Sequence, residues 1–550
     1  MRNERTRRPT QSTLHGRLIS IAAFGMVFML TPSAIAADDG RFWVWRDDRP
    51  AARLVPPRLS GPMEHVVDTT VNGYFAESYR WSLPNRPDVT EAGNYILVGD
   101  ASNNRAIRRL VDGGLRLGTD ELGEEGFRLF THEADGSRYV IVTAKTPTGL
   151  KHGCLELVFY RTPTTQRGAW IDWPMDVTMS PAFAYRGVYV LPCWAAFDSH
   201  TSWERMIAFM SDTSVNRIWF WLAGFPLLKQ YGGEYAGTDL SDAYNVNGLA
   251  GLTRSRGMKF YIGGGWFTWH HEKIADGSIK RGVQYYLDML SLVPDTEGIY
   301  LEPAGEGRDT DEAAWRKRTE AFGEMAARIW KDRPAFEFAI AIGEFNADAY
   351  RRLMHEIDET RTYWWWCWGD PIRDNALAEH PLVLRWHTNV QMSDYHGSTA
   401  PPEPSERALT GFATSYDPGQ GFGNPWNGWG ALGHDQPRNF DPNDMPYFSH
   451  QYWFRERCWN VEITEAEFAA RLARRLFDDD VPEQAIKYYL TLASMCPNPK
   501  AADVDQLSVI DRFVAEHVNH GTARTQDTLR RMRTAIEGIR AHRQREEPAP

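Results

Sequence analysis

Two glutamates four residues apart, Glu302 and Glu306, close the segment EGIYLEPAGEGRD at residues 297–309. The apolar run Gly298-Ile299-Tyr300-Leu301 reads as a buried strand, and Pro303, Gly305 and Gly307 stop it. Both acids therefore belong where a strand gives way to a loop. A pair of carboxyl groups there can protonate a leaving group and activate a nucleophile, which is what cleavage of a glycosidic bond requires. Glu306, with a glycine on each side, has no helix to cap and has the reach of a general acid; Glu302, nearby, would raise its pKa. Other polar and aromatic residues follow neighbouring apolar runs. They are Trp266, Glu344, Asp370, His387, Asn389 and Asp394, with Arg308 just past Glu306. In GFGNPWNGWG, at 421–430, Trp426 and Trp429 stand among Gly, Asn and Pro with no apolar period, as ring platforms for a sugar would. Singly, any one of these acids could be a helix cap or an ion-pair partner. The chain has no HExxH and no Gly-rich phosphate loop, and the adjacent histidines of WHHE at 269–272 cannot share one strand face, so no metal or cofactor is expected.

Positioning such residues falls to eight apolar runs between 185 and 417: YRGVYVLP, NRIWFWLA, MKFYIGGGW, GIYLEP, FEFAIAIGE, TYWWWCWGD, PLVLRWHTN and ALTGFATSYD. Each is an apolar run with β-branched or aromatic residues, followed by a loop with Gly, Pro or Asn, and helical periods separate several of them. Eight such runs predict a (β/α)8 barrel, with a short sixth crossover and a long loop after the eighth run, and the chemistry of such a barrel belongs to the carboxyl ends of its strands. An open flavodoxin-like sheet is the structural alternative. Upstream, YILVGD, SNNRAIRRLVDGG, EGFRLFTHE, RYVIVTAKT and PTGLKHGCLELVFYR alternate strand and helix periods and predict a small α/β domain, with 41–87 supplying edge strands to it. Beyond about residue 444 the periods are helical throughout. The expected organisation is a signal peptide at 1–36, a small α/β domain at 37–180, the barrel at 181–443 and a helical domain at 444–550. The long charged last helix could pack on the barrel or form a homodimer.

The first residues carry five arginines, then an apolar stretch from Leu18 to Leu30 and Ala34-Ile35-Ala36, the order of a secretory signal cleaved near Ala36. A secreted or periplasmic protein is expected. The formal charge of −11 becomes more negative without those arginines. So acidic a chain has no electrostatic footprint for nucleic acid, and no later apolar run is long enough for a membrane span. Five cysteines without regular spacing argue against a disulfide framework.

The module ending in GLKHGCLELVFY, with its G-x-x-x-G helix after a strand and a Thr-Pro pair, resembles the small α/β domain preceding the barrel in α-glucuronidases and β-hexosaminidases. The order of module, barrel and helical region is similar to family 67 α-glucuronidases. That resemblance implies Glu306, followed by Gly307 after the fourth run, as the general acid, with Asp370 and Asp394 as positional candidates for the group that activates water. The adjacent Asp-Glu pair of hexosaminidases at the end of the fourth strand is absent. The expectation is an exported glycoside hydrolase acting on a carbohydrate, with a uronic acid as one product and Arg308, Arg373 and Arg385 as cations for its carboxylate. A non-catalytic carbohydrate-binding barrel and a polysaccharide lyase using Tyr416 or His387 stand as alternatives.

Overall fold

The computed structural model describes residues 40–190, 200–221, 246–265, 283–302 (without 285 and 292), 312–343, 361–368, 382–386, 409–416 and 447–546 (without 497 and 498). From Arg41 onward the chain groups as one unit. It begins with β1 (Arg41–Arg46), β2 (Arg49–Pro50), β3 (Arg53–Val55) and the helix α1 (Gly73–Tyr79). Next come β4 (Asn94–Val98), α2 (Arg105–Asp112), β5 (Phe127–Ala134), β6 (Ser137–Ala144) and α3 (Pro147–Tyr160), then β7 (Thr164–Thr165), β8 (Gly168–Asp172) and β9 (Asp176–Met179). The expected strand–helix–strand–strand–helix module is present. Its five-stranded sheet has the order β3-β4-β6-β5-β9. The segment 41–87 departs from expectation: only β3 is an edge strand of that sheet. β1 and β2 instead join β8 and β7 in a separate antiparallel sheet, β1 pairing with β8 from Arg41↔Asp172 to Arg46↔Gly168. A pairing partner so far along the chain leaves no mark on local periodicity.

Asn104 caps α2. Its side-chain oxygen accepts from the backbone N–H groups of Ala106 and Ile107, while its Nδ2 donates to Val55 O and Val98 O, so one buried amide starts the helix and ties it to two strands. In α3, Pro147 occupies the first turn and Thr146 Oγ1 accepts from Gly149 N. This helix is buried from Gly149 to Tyr160. Gly149 and Gly153 let it lie close to the sheet: a Cβ on Gly149 would fall 2.6 Å from Gly126 O, and one on Gly153 2.5 Å from Val142 Cγ1. The G-x-x-x-G spacing is thus a packing device.

The eight expected runs form β10 (Tyr185–Val190), β11 (Arg217–Trp221), β12 (Lys259–Gly265), β13 (Gly298–Glu302), β14 (Glu337–Gly343), β15 (Thr362–Trp368), β16 (Leu382–Trp386) and β17 (Leu409–Tyr416). They close into a parallel barrel in sequence order, β17 pairing back onto β10 from Tyr185↔Gly411 to Val190↔Tyr416. Closure excludes the open-sheet alternative. Among the described crossovers are α4 (His200–Asp212), α5 (Val246–Ser255) and α6 (Glu312–Asp332). Outward residues of the strands meet these helices, as in Trp203–Phe220 (ring centroids 5.2 Å) and Phe322–Phe338 (4.9 Å). Strands covered on both faces read as unbroken apolar runs rather than alternating ones, which is why they were legible.

The carboxyl-terminal helices are α7 (Tyr447–Trp459), α8 (Glu465–Leu476), α9 (Gln484–Met495), α10 (Val504–His517) and α11 (Ala523–Glu546). They grip the amino-terminal module through buried charge. Glu156 of α3 meets Arg161 at 2.9 Å, Arg471 of α8 at 2.8 Å and Arg455 of α7 at 3.5 Å. Asp478 accepts from Thr164 at 2.8 Å and from Arg524 of α11 at 3.0 Å. Cys154, Cys458 and Cys496 are buried. Among the described residues, no helix is long and apolar enough to cross a membrane.

Candidate functional site

Inside the barrel, contacts between non-adjacent strands show how its interior is filled. At the amino ends, Arg217 of β11 reaches across to Glu337 of β14, Nε to Oε2 at 3.0 Å and Nη2 to Oε1 at 3.2 Å. Lys259 and Tyr261 of β12 donate to the same carboxylate. The Arg217 guanidinium also lies over the Tyr185 ring, 4.2 Å from its centroid, and over Tyr363 at 5.2 Å. Burial alone would push the Glu337 carboxyl up, but Arg217 and Lys259 outweigh it and hold the group at about 2. This cross-barrel knot is a charged floor.

One layer above, Trp219 of β11 donates its indole N–H to Tyr185 Oη at 2.6 Å and stacks on Tyr300 of β13 with centroids 5.0 Å apart and planes 8° apart. Trp219, Tyr185, Tyr261 and Tyr300 are fully buried. Two glycines allow this packing, one beside a ring and one beside a neighbouring backbone. A Cβ on Gly298 would lie 2.7 Å from the Tyr261 ring, and one on Gly263 would lie 1.9 Å from Tyr300 O. With its floor and middle layer occupied, the barrel leaves its carboxyl end for chemistry.

That end is where the sequence expects the site. Glu302 is the final residue of β13, in register with Gly265, the final residue of β12, and two positions beyond the stacked Tyr300. The other candidates, Glu306, Asp370, Asp394, Trp266, Glu344, His387, Asn389, Arg308, Trp426 and Trp429, lie outside the described residues, as does Arg373. In sequence, Trp266, Glu344 and His387 each come directly after a strand's last residue, namely Gly265, Gly343 and Trp386. Glu306 comes four residues after Glu302.

The floor was missed by the sequence reading, although it left a signal. Arg217, Lys259 and Glu337 are each the first residue of their strand, so three apolar runs open on a charge. A second missed cluster joins the barrel's amino ends to the small module. Asn216, preceding β11, donates to Glu125 at 2.7 Å, and Arg186 of β10 pairs with the same carboxylate. His152 of α3 lies 3.2 Å from Glu125, and the neighbouring Lys151 ammonium donates to Ser211 at 3.1 Å and Arg256 O at 2.9 Å. Both clusters sit away from the carboxyl ends and serve the scaffold.

No protein-family model matches the chain, and no curated protein matches it. Solved structures do. CpGH84D aligns with a TM-score of 0.53 at 9% identity, over 92% of this chain and 89% of its own. CpGH84B aligns at 0.53 and 11% identity, over 93% and 87%. A GH20 exo-β-N-acetylglucosaminidase from Vibrio harveyi, solved with N-acetylglucosamine, aligns at 0.50 and 12% identity, over 82% and 76%. At such identities the likeness is one of fold, and that fold is the barrel architecture of GH20 and GH84 glycoside hydrolases.

Proposed function

We propose that the protein is an exported glycoside hydrolase that cleaves a glycosidic bond at the carboxyl end of the barrel, with Glu306 as general acid. The observation that carries this reading is the closed barrel whose interior is filled up to the Trp219–Tyr300 layer, with its fourth strand ending on Glu302 and a second glutamate four residues on. An enzyme of this type needs an acid that keeps its proton near neutral pH, and a like charge close by supplies that condition. Glu302 is that neighbour. Asp370 and Asp394 are the candidates for activating water, and Trp426 and Trp429 for stacking the sugar.

Two sugar classes are supported by different features. Arg308, Arg373 and Arg385 suit a uronate and accord with the family 67 resemblance. The Vibrio harveyi neighbour, solved with N-acetylglucosamine, favours an N-acetylhexosaminide. Activity on an aryl α-glucuronide and an aryl β-N-acetylglucosaminide, each beside an oligosaccharide of the same sugar, separates them. On the natural linkage Glu306→Gln should lower kcat by about 100-fold or more, the scale of lost general acid catalysis. The activated aryl glycoside should suffer much less. Full activity of Glu306→Gln on the natural linkage, or no hydrolysis of any glycoside panel by wild type, overturns the reading.

A further inference from the structure

Away from the barrel, a cavity of about 290 Å³ opens where α1, α7, α8, α9 and α11 meet, and no barrel strand contributes to its wall. Five arginines line it against two acids, Glu77 and Asp527. Two of the arginines are already matched: Arg524 pairs with Asp478 at 3.0 Å and Arg531 with Asp527 at 3.0 Å. That leaves Glu77 as the one remaining acid of the lining for Arg80, Arg475 and Arg530, with buried Asp212 outside the lining also acting on Arg475, in a protein whose formal charge is −11.

Arg475 is the unusual member. Its Nε donates to Tyr452 Oη at 3.2 Å, and its guanidinium lies 4.0 Å from the Phe159 centroid and 5.0 Å from that of Tyr74. Aromatic rings thus hold the plane in place. No carboxylate among the described residues lies within ion-pair distance of it, although the side chain is largely withdrawn from solvent. A guanidinium presents five N–H donors in a rigid fork, matched by a carboxylate or phosphate. Here the fork is held among rings, the Tyr452 hydroxyl takes one of its five donors, and the residue lines the cavity. Phe448 and Tyr489 supply apolar wall beside it. The volume sits at the lower limit of small-molecule pockets, about 300 Å³, which suits a ligand of monosaccharide size.

We infer that this cavity is a binding site for a small oxyanion-bearing ligand, a sugar acid or a phosphorylated metabolite, with Arg475 reading the oxyanion and Arg80 and Arg530 adding charge at the rim. The inference is independent of the barrel chemistry.

The test is calorimetric titration of the full chain with glucuronate, inorganic phosphate and glucose. Saturable binding of glucuronate or phosphate, but not glucose, is expected, weakened about 10-fold or more by Arg475→Gln, the scale of a lost charge-assisted hydrogen bond. Because Arg475 also packs on rings, the exposed-rim double variant Arg80→Glu with Arg530→Glu is measured beside it and should weaken binding without loss of the native circular dichroism spectrum. Glucuronate alone binding identifies a sugar acid as the source; phosphate alone identifies a phosphorylated ligand; both together identify a general oxyanion site. Failure of both anions to saturate overturns the proposal. So does binding that neither variant changes, because glucuronate held in the barrel would give that result.

Discussion

At the scale of single residues, Glu125, Glu156, Glu337 and Asp478 are each held by a guanidinium group, and each pairing fixes the sign of a response. Removing one partner of a buried pair strands the other's charge, a loss of about 3 to 5 kcal/mol. Glu337→Gln should therefore destabilise the fold on that scale and so lower the urea midpoint, since it leaves Arg217 in the barrel without its anion. An unchanged midpoint would show that the floor is not a stabilising knot. His152 gives a pH response. Burial and the Lys151 ammonium beside it push the imidazole down to about 3, so it is neutral in the folded protein at pH 7. The positive charge that keeps Glu125 ionised, well below the usual carboxylate range despite burial, accordingly comes from Arg186 rather than from the imidazole. An unfolded histidine titrates near 6.5. Between about 6.5 and 3 the unfolded chain thus binds a proton that the folded one refuses, so stability present above 6.5 is lost as pH falls. Glu125, also depressed, adds a loss of the same sign at lower pH. The urea midpoint should drop between about pH 7 and pH 5, and His152→Asn should flatten that slope; a slope unaltered by the substitution would locate the titration elsewhere.

At the scale of elements, glycines with opposite surroundings make a paired test. Gly153 of α3 faces Val142 and Phe127, where a Cβ would come within 2.5 Å of a methyl group, whereas Gly323 of α6 has open space around the same position. Gly153→Ala should cost about 1 to 3 kcal/mol through overpacking, and Gly323→Ala should stabilise by about 0.5 to 1 kcal/mol through helix propensity. Equal effects in thermal melts would contradict the close packing of α3. The same contrast explains what was legible beforehand. All eight barrel strands could be read because burial on both faces writes a continuous apolar run with a Gly, Pro or polar stop. The segment 61–79 could not, because 3-10 and π turns precede α1 and blur any 3.6-residue period. The pairing of β1 with β8 was also invisible, as were the partners of Arg217 and Glu337, which lie 120 residues apart. The candidate site was legible only as residue types at strand ends. Which carboxylate faces which is decided by loops that carry no period.

At the scale of the whole molecule, the helical region was expected as a separate domain, yet its arginines reach into the first module. Glu156 lies in α3, and two of the three guanidinium groups around it come from α7 and α8. Neither region can unfold without leaving that charge or those cations stranded. Calorimetry should show one transition in which both regions melt together, and Glu156→Gln should lower its temperature while keeping it single. Two resolved transitions would mean that the regions are energetically independent.

The filled barrel has a consequence for traffic. A barrel axis stopped by Arg217 and Glu337 and, above them, by Trp219 and Tyr300 is no thoroughfare. A long polymer could not be threaded through it like a rope through a pulley. Whatever meets the carboxyl end of the barrel must therefore come and go on that same side.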